Sequence, residues 1–269
     1  MTAGALSAFA ALVRRRTGIV IGDDKAYLIE ARLRSFAQTG GYAGVEPMLA
    51  AVLAGRDPRL LDMAVEAMTT NETLFFRDAT PFVALAEQLA LRAHDPRRRA
   101  VRIWSAACST GQEPYSIAMV ADEVRQRHPD LKVEIVASDL SSRCVAMAQA
   151  GSYSQFEVQR GVSMQRLVRH FESVDGRWKV SDALRSAIVW KTLNLTEPFD
   201  FLGQFDLIFC RNVLFYFEAA QRRDILDRLA ARLAPDGRLF LGASETPLGV
   251  SDRFEVTPGL KGLSLAETS

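Results

Sequence analysis

The sequence predicts an α/β fold in which a doubly wound, mostly parallel β-sheet follows an all-α N-terminal region. Two observations carry this prediction. After about residue 81, short apolar segments alternate with amphipathic segments of helical period, which is typical of parallel strands joined by helices. Before that point, apolar residues recur at helical spacings. The composition, 48% hydrophobic and 24% charged among 269 residues, is that of an ordinary globular chain.

Residues 1–70 are predicted to form a helical domain. Its clearest helix lies between Asp23 and Gln38, where four apolar residues recur at spacings of three, four and three: Ala26, Ile29, Leu33 and Phe36. The pair Gly40-Gly41 ends this helix. The other predicted helices contain Leu6, Phe9, and Leu12 or Val13, then span Pro47–Leu53, and then follow Pro58.

Residues 82–269 are predicted to form the α/β domain. Its predicted elements are helix Phe82–Arg92, strand Val101–Ala107, helix Glu113–Arg127, strand Val133–Ser138, helix Ser142–Ala150, strand Ile188–Leu193, strand Phe205–Cys210, helix Ala219–Leu233 and strand Arg238–Gly242. A final hairpin is predicted around Pro258-Gly259. The stretch Tyr153–Leu184 is too long for one crossover and contains a hairpin pattern, Phe171–Val180. A small β insertion is therefore predicted at about residues 160–185.

The charge balance argues against a nucleic-acid-binding protein, because 33 basic and 32 acidic residues leave a net charge of +1. One basic cluster, Arg92 with Arg97–Arg99 and Arg102, is predicted to be a solvated turn. Three cysteines make no disulfide framework, which favours a reducing, cytoplasmic location. No apolar run approaches the roughly 18 residues of a membrane span, and the scattered histidines predict no metal site.

The segment Ile103–Met119 predicts a strand, a turn of small residues and a helix. Small residues let the backbone approach a ligand closely, and N–H groups at a helix start favour an anionic group. Ligands of open α/β sheets bind beyond the carboxyl ends of the strands. Glu113 opens this helix and Asp139 ends the second strand, so both are candidate ligand-binding residues. The alternatives are a Glu that complements the helix dipole and an Asp that caps the next helix.

The segment Met68–Asp78 precedes the α/β domain and reads MTTNETLFFRD. Asn71 and Thr73 can hydrogen-bond a polar ligand, and Arg77 offers a planar fork of donors for a carboxylate. The alternative is a helix-capping turn with two core phenylalanines, because Thr70 and Asn71 are both good N-caps.

Polar residues also follow two later strands. Asn194 lies in the run KTLNL, where an isolated Asn is also typical of a simple turn. The apolar strand Phe205–Cys210 is followed by three residues that are predicted to reach the rim of the sheet: Arg211, Asn212 and Tyr216.

Four of these segments, ACSTGQEPYSIAM, MTTNETLFFRD, KTLNL and FDLIFCRNVLFYF, together resemble the CheR-type chemotaxis receptor methyltransferases, which use S-adenosylmethionine (SAM). A fifth segment, LFLGASETP, matches the same family, and its Ser244 and Glu245 are predicted to be structural. The turn AACSTG replaces the GxGxG of many SAM enzymes, a departure that is characteristic of this family. The resemblance covers nearly the whole chain.

The resemblance implies a SAM-dependent methyltransferase domain over residues 82–269, a receptor-docking domain over 1–70, and a linker, 71–81, that contributes to the cofactor site. The implied cofactor-binding residues are Asn71, Thr73, Arg77, Ala107, Glu113, Asp139, Asn194, Leu195, Arg211 and Asn212. Glu113 is expected to bind the SAM ammonium and Asp139 the ribose. The Asn194-Leu195 pair is expected beside the adenine.

The implied reaction moves the methyl group of SAM to glutamate side chains of chemoreceptor cytoplasmic helices, giving γ-methyl esters and S-adenosylhomocysteine. A glutamate carboxylate, with a pKa of about 4.3, is ionised at neutral pH and needs no general base. The sequence shows no catalytic triad and no catalytic histidine, which agrees with a reaction that needs no general base. Arg77 is the candidate for orienting the acceptor carboxylate. Tyr216 is the candidate for hydrogen-bonding the acceptor or placing its ring near the sulfonium.

The predicted receptor-docking residues are Lys25, Arg32 and Arg34, a smaller basic set than the family often has. The short insertion around Asp175–Trp178 is not expected to bind a receptor C-terminal peptide, as some members do. The expected protein is a monomer that acts in the cytoplasm and visits membrane receptor clusters transiently, without membrane insertion or nucleic-acid binding. The alternatives are a SAM enzyme with another protein or small-molecule acceptor, and a SAM-sensing regulator.

Overall fold

The structure, a computed structural model, describes residues 3–22, 26–95, 100–256 and 262–266. The chain divides into two compact units. The helical unit comprises Met1–Thr70 with Tyr216–Gln221, and the α/β unit comprises Asn71–Phe215 with Arg222–Ser269.

The helical unit contains α1 Ala3–Thr17, α2 Ala26–Thr39, α3 Val45–Leu53 and α4 Pro58–Glu66. Its core includes the predicted apolar stripe, because Ile29 and Leu33 of α2 are buried. Beyond α2, Gly41 has a φ of 73°, a left-handed conformation that favours glycine and ends the helix as predicted. Asp57 caps α4, its side chain accepting from the N–H groups of Arg59 and Leu60.

From residue 80 the elements are α5 Thr80–Ala93, β1 Val101–Ala106, α6 Gln112–Arg125, β2 Val133–Asp139, α7 Ser142–Ala150, β3 Ser152–Tyr153, α8 Gln155–Gln159, α9 Met164–His170, β4 Phe171–Val174, β5 Arg177–Val180, α10 Asp182–Ser186, β6 Ile188–Thr192, β7 Phe205–Cys210, α11 Ala219–Arg232, β8 Leu233–Phe240, β9 Phe254–Val256 and β10 Leu263–Leu265. Short 3-10 turns span Asp200–Leu202 and Leu214–Tyr216.

The main sheet has seven strands in the order β6-β2-β1-β7-β8-β10-β9. The five strands from β6 to β8 are parallel, and β10 is antiparallel to both β8 and β9. Strand order reverses between β1 and β7, which is the position where doubly wound sheets bind ligands. The predicted doubly wound, mostly parallel sheet is therefore confirmed. The turn of the predicted final hairpin, Pro258-Gly259, lies outside the described residues.

The predicted insertion is a second, three-stranded sheet in the order β3-β5-β4, with α8 and α9 between its strands. The hairpin of β4 and β5 turns at Asp175-Gly176, as the sequence predicts. The two helices were not predicted, because each spans at most two turns and shows no clear apolar period. Ser154 and Ser163 cap them, so local hydrogen bonds mark the two helix starts.

Strand β8 begins at Leu233, five residues before the predicted start at Arg238. The Pro235-Asp236-Gly237 sequence indicates a turn, but it lies within the strand. The pairing with β7 shifts register between Phe205 and Leu207, so the strand bulges at this point.

Candidate functional site

The carboxyl ends of the parallel strands carry the polar residues that the sequence predicts there. Ala106 of β1 pairs in register with Cys210 of β7, so Ala107 and Arg211 follow at the same edge. Asp139 of β2 pairs with Thr192 of β6, and the Leu193 N–H donates to the Asp139 carbonyl at 2.9 Å. The neighbouring strands β6, β2, β1 and β7 therefore end at the same edge of the sheet, and strand order reverses between β1 and β7.

The loop after β1 has an unusual backbone, with φ values of 62° at Ala107, 50° at Ser109 and 97° at Gly111. A Cβ atom at Gly111 would lie 2.7 Å from the Cβ of Ala148, so this position requires glycine. The loop amides are engaged within the protein: the Cys108 N–H donates to the Ser138 carbonyl and the Gly111 N–H to the Cys108 carbonyl. These two amides hold the loop in shape.

Asp139 supports this loop directly. Its Oδ2 accepts from the Ser109 N–H at 2.7 Å, and its Oδ1 accepts from the Ser141 N–H at 2.9 Å. The cap of α7 is Ser141, whose Oγ accepts from the Cys144 N–H at 3.0 Å. Asp139 thus holds the loops that follow β1 and β2, and it does not serve as the N-cap considered from the sequence.

Glu113 and Arg211 form a buried ion pair. Arg211 Nη1 lies 3.0 Å from Glu113 Oε2, and the side chains are 2% and 12% exposed respectively. The Ser105 hydroxyl donates to Glu113 Oε1 at 2.8 Å. Burial raises the pKa of Glu113, while Arg211 and Ser105 oppose that shift. Glu113 also lies in the first turn of α6, so it complements the helix dipole as well.

Arg211 joins three parts of the site. Besides its contact with Glu113, its Nη2 donates to the Arg77 carbonyl at 2.8 Å and to Asp78 Oδ2 at 2.9 Å. One guanidinium therefore connects the end of β7, the start of α6 and the segment Asn71–Ala79, which we name the linker segment.

The linker segment is fixed along its length. The Ser109 hydroxyl donates to the Asn71 carbonyl at 2.8 Å, and the Phe76 N–H donates to the Ser116 hydroxyl at 2.9 Å. The helix that follows starts without a side-chain cap, so the predicted alternative of a capping turn at Thr70 and Asn71 is wrong. The apolar half of that alternative holds for Phe75, which is buried, while Phe76 is half-buried.

The insertion packs directly against the linker segment. The ring of Phe75 makes edge contacts with Tyr153 and Phe171, at centroid distances of 4.9 and 5.7 Å. A Cβ atom at Gly161 would fall 1.9 Å from the Phe75 carbonyl oxygen. The Tyr153 hydroxyl also donates to the Thr110 carbonyl in the loop after β1, at 2.7 Å. The insertion therefore supports two segments of the site.

Other residues predicted to bind the cofactor lie after β6 or in the linker segment: Asn194, Leu195, Thr73 and Arg77. Asn194 Oδ1 accepts from the N–H and the hydroxyl of Thr196, at 3.0 and 2.8 Å, so it forms a turn as the alternative proposed. Leu195 is buried, and Thr73 is half-buried in the linker segment. Arg77 is half-buried, and its Nη1 donates to the Glu72 carbonyl at 3.3 Å.

Glu245, which the sequence predicts to be structural, accepts hydrogen bonds from two neighbouring strand ends. Its carboxylate accepts the N–H groups of Asn212, Val213, Leu214 and Gly242 at 2.7 to 2.8 Å. Asn212 has a φ of 59° and precedes the 3-10 turn that ends at Tyr216. The local sequence gives no signal for this role, which follows from the pairing of β7 with β8.

Two family models match nearly the whole chain. The model described as "CheR methyltransferase, SAM binding domain" matches residues 71–262, and the one described as "CheR methyltransferase, all-alpha domain" matches residues 4–69. The chain belongs to the CheR methyltransferase family. Its cofactor is SAM. The resemblance drawn from the sequence motifs is thus confirmed.

Curated relatives agree with this membership. A chemotaxis protein methyltransferase of Vibrio parahaemolyticus is 43% identical over 258 residues, covering 94% of both chains. Chemotaxis protein methyltransferase 1 of Pseudomonas aeruginosa is 42% identical, also covering 94% of both chains. The Salmonella typhimurium chemotaxis protein methyltransferase is 36% identical over 87% of this chain and 81% of its own length.

The donor set of this CheR family site fits SAM. SAM carries an ammonium and a sulfonium, and the site holds two carboxylates, Glu113 and Asp139, at neighbouring strand ends. Both carboxylates raise the pKa of the Cys108 thiol, after the larger effect of burial, so both lie near this loop. Carboxylates at this edge of the sheet can bind a ligand that carries positive charge and hydroxyl groups, as SAM does.

The predicted docking cations differ in their surroundings. Arg32 is half-buried within the helical unit, where it donates to the Met68 carbonyl at 2.6 Å and to the Thr70 hydroxyl at 2.8 Å. Arg34 is exposed and pairs with Glu30 at 3.3 Å. Lys25 lies outside the described residues.

The predicted solvated basic turn is wrong for two of its members. Arg92 is buried and donates to the Asp236 carbonyl at 2.6 Å, because it continues the buried face of α5 formed by Leu85 and Leu89. Arg102 lies in β1 and not in a turn, and it pairs with Glu134 at 3.1 Å. Arg97–Arg99 lie outside the described residues.

Within the described ranges, we find no helix that combines the length and apolarity needed to cross a membrane. The same part of the chain contains no group of three or more His, Cys, Asp or Glu side chains arranged to hold a metal ion.

Proposed function

We propose that the chain transfers the methyl group of SAM to glutamate side chains in the cytoplasmic helical domains of chemoreceptors, forming γ-methyl esters and S-adenosylhomocysteine. The observation that carries the proposal is the linker segment: its family-specific sequence is pinned by Arg211, Ser109 and Ser116 beside the carboxylate pair of the cofactor site. The names of the curated relatives supply the chemotactic context.

We assign a residue to each part of the cofactor. Glu113, whose carboxylate pairs with Arg211, accepts the SAM ammonium. Asp139 accepts the ribose hydroxyls, since an ionised carboxylate can accept about four hydrogen bonds in all. Asn194 and Leu195 lie beside the adenine. The linker residues Asn71 and Thr73, together with the strand-end residues Ala107, Arg211 and Asn212, complete the cofactor site.

Bound SAM supplies a methyl group attached to a positively charged sulfur. An incoming oxygen nucleophile takes this methyl group and displaces the sulfur. Arg77 orients the acceptor carboxylate through its planar guanidinium, and Tyr216 hydrogen-bonds the acceptor or places its ring near the sulfonium. The acceptor oxygen bonds to the methyl carbon while the bond from carbon to sulfur breaks, and the electron pair stays on sulfur. The acceptor is already ionised at neutral pH, so these residues only align the reactants and exclude water.

The helical unit, residues 1–70, is the proposed docking surface for the receptor, with residues 71–81 as the linker and 82–269 as the catalytic domain. Lys25, Arg32 and Arg34 are the proposed basic contacts. Of the two residues that the structure describes, Arg34 is the better placed to contact a receptor, because the guanidinium of Arg32 donates hydrogen bonds to residues 68–70. The protein is proposed to act as a monomer in the cytoplasm and to reach membrane receptor clusters through protein contacts.

The test is transfer from methyl-labelled SAM to receptor-containing membranes from cells that lack their own methyltransferase. We expect label in receptor that alkali releases as volatile methanol, because carboxyl methyl esters hydrolyse in base. Matched membranes whose receptor carries Gln in place of the methylated Glu residues should stay unlabelled. Alkali-stable label would contradict the proposal and indicate another acceptor atom.

A further inference from the structure

Glu245 joins two neighbouring strand ends through a single carboxylate. Oε2 accepts from the Asn212 and Gly242 N–H groups at 2.7 Å each, and Oε1 accepts from Val213 at 2.8 Å and Leu214 at 2.7 Å. Three of these donors follow β7 and the fourth follows β8, the neighbouring parallel strand. We name this arrangement the Glu245 clamp.

The clamp uses the full acceptor capacity of the side chain. An ionised carboxylate has about four acceptor sites, and four backbone donors occupy them. Hydrogen bonds from N–H groups to a charged acceptor are among the stronger ones in proteins. Glu245 therefore has no acceptor site left for a substrate, and any effect on transfer must pass through the chain that it holds.

The clamp holds a backbone conformation that is uncommon for residues other than glycine. Asn212 has a φ of 59°, a left-handed conformation that is costly for residues other than glycine and is tolerated best by Asn and Asp. Without Glu245, three consecutive N–H groups would lose their acceptor. The same residues lead from β7 into the 3-10 turn Leu214–Tyr216, which ends at the proposed catalytic Tyr216.

Gly242 makes the clamp possible on its other side. A Cβ atom there would lie 2.5 Å from Asn212 Nδ2 and 2.7 Å from Glu245 Oε2. Its φ is not in the left-handed region, so backbone conformation does not require glycine here. Close approach to Asn212 and Glu245 is the reason for a residue without a side chain.

We infer that Glu245 is a positioning residue for methyl transfer, which sets the course of residues 212–215 and so the placement of Asn212 and of the backbone that leads to Tyr216. This inference rests on the proposed function, because it assumes that these two residues serve the transfer site. It assigns Glu245 a role in the turnover step and none in direct contact with SAM or the acceptor.

The test compares Glu245→Gln and Gly242→Ala in the full chain. The Gln amide keeps one acceptor oxygen and turns an NH2 donor toward N–H groups, so half of the clamp is lost. Gly242→Ala keeps the carboxylate but inserts a methyl group between the clamp and Asn212. Glu255→Gln, on the exposed part of β9, is the matched control with the same chemical change.

We expect both variants to lower kcat by about 100-fold, the effect of an error of about 1 Å in placement, and to weaken SAM binding because they displace Asn212, a proposed cofactor contact. KM for the receptor should change by less than about threefold. Amide hydrogen exchange at residues 212–214 and 242 should accelerate, while β1 and β7 keep their protection. Glu255→Gln should match the wild type in every readout.

Two results would overturn the inference: unchanged exchange at residues 212–214 in Glu245→Gln, or lost protection there with wild-type kcat. Global loss of protection in Glu245→Gln would leave Gly242→Ala to decide by the same criteria. Failure of the proposed function is distinguishable, because the wild type itself would then give no alkali-labile label, whereas SAM binding and exchange require no acceptor.

Discussion

The guanidinium of Arg211 and the carboxylate of Glu113 form a buried ion pair, with 3.0 Å between Nη1 and Oε2. The two residues are 98 positions apart in the chain, and each follows a different strand of the sheet. Arg211 also binds the Arg77 carbonyl, so this pair couples the predicted ammonium-binding residue to the linker segment. Its energetic coupling can be measured.

Replacing Arg211 by Met should lower the free energy of unfolding by about 3–5 kcal/mol, because Glu113 stays buried without its cation. The double variant with Glu113→Gln should recover part of this loss. Urea unfolding followed by tryptophan fluorescence is a suitable measurement, since all three tryptophans lie in the α/β unit: Trp104, Trp178 and Trp190. Strict additivity of the two substitutions would contradict coupling.

Arg34→Met is the control for that experiment. Arg34 and Glu30 form an exposed pair one helical turn apart, so its loss should cost about 0.3–0.5 kcal/mol. Circular dichroism measures this control, because the sequence of the helical unit contains no tryptophan.

SAM affinity should weaken as pH falls through the titration of Glu113. Burial raises the pKa of this carboxyl above its ordinary value, with Arg211 and Ser105 opposing the shift. The protonated form offers no charge to the ammonium, so the loss should begin at a higher pH than for an exposed Glu and approach tenfold per pH unit. Calorimetric titration with SAM across pH 4.5–7.5 measures this slope.

Glu113→Gln should bind SAM weakly and lose the pH dependence that Glu113 contributes. Glu255→Gln, in which the site is intact, should keep the wild-type slope. A slope that persists in Glu113→Gln would assign it to another group.

Arg77→Ala should abolish most transfer while leaving SAM affinity within a few-fold. The reason is that its proposed partner is the acceptor carboxylate, and the backbone contact with Arg211 is made by the Arg77 carbonyl, which Ala retains. The measurements are the rate of alkali-labile labelling and the Kd for SAM. Arg77→Lys keeps the charge without the planar fork and should be intermediate. Near wild-type transfer by Arg77→Ala would refute the assignment.

Gly161→Ala should disturb the linker segment severely. The new Cβ would lie 1.9 Å from the Phe75 carbonyl oxygen, a backbone atom that no side-chain rotation can move away. We expect a loss of stability of about 1–3 kcal/mol, typical of overpacking, together with weaker SAM binding. Gly44→Ala is the control, since a Cβ there meets nothing within 4 Å. Equal stability of the two variants would be incompatible with the close contact.

His170 should make the protein less stable as pH falls below about 6.5. Its side chain is 4% exposed, and Nε2 has no hydrogen-bond partner within the described ranges. Burial lowers the pKa of His170; Asp122 and Glu123 oppose this shift, and Arg169 and Arg166 reinforce it. The unfolded chain therefore binds the proton first on acidification, and unfolding becomes easier until pH passes below the folded pKa.

Comparing urea unfolding at pH 7.5 and 5.5 tests this. His170→Gln should show a smaller loss on acidification than the wild type, by at most about 1.4 kcal/mol per pH unit. His128→Gln, which leaves His170 in place, should retain the full loss. Equal pH dependence in wild type and His170→Gln would refute the role.

The sheet and its ligand edge could be predicted from the sequence because they depend on local patterns. Apolar strands ending in Asp139 and Arg211 place those residues at one edge as soon as the strands are parallel. The partners of those residues depend on contacts between distant segments. No local pattern indicates that Arg211 binds the Arg77 carbonyl, or that Arg32 donates to residues 68–70.

The same limit explains Glu245 and Arg92. The run ASET reads as an ordinary turn, and its carboxylate gains importance only because β7 and β8 are neighbours. Arg92 belongs by charge to a basic cluster, yet its helical position continues the buried face of α5. Position on an element, more than residue type, decided both roles.

Tyr153 contacts Phe75 through its ring and the Thr110 carbonyl through its hydroxyl, so the insertion and the cofactor loop share one side chain. A chimera that exchanges only residues 152–180 with another family member would bring a foreign surface against a native linker segment. A chimera that preserves these contacts should therefore exchange the insertion together with residues 71–79 and the loop after β1. A substitution in one of these three segments limits which substitutions the other two can tolerate. We therefore expect the sequences of the three segments to change together among family members.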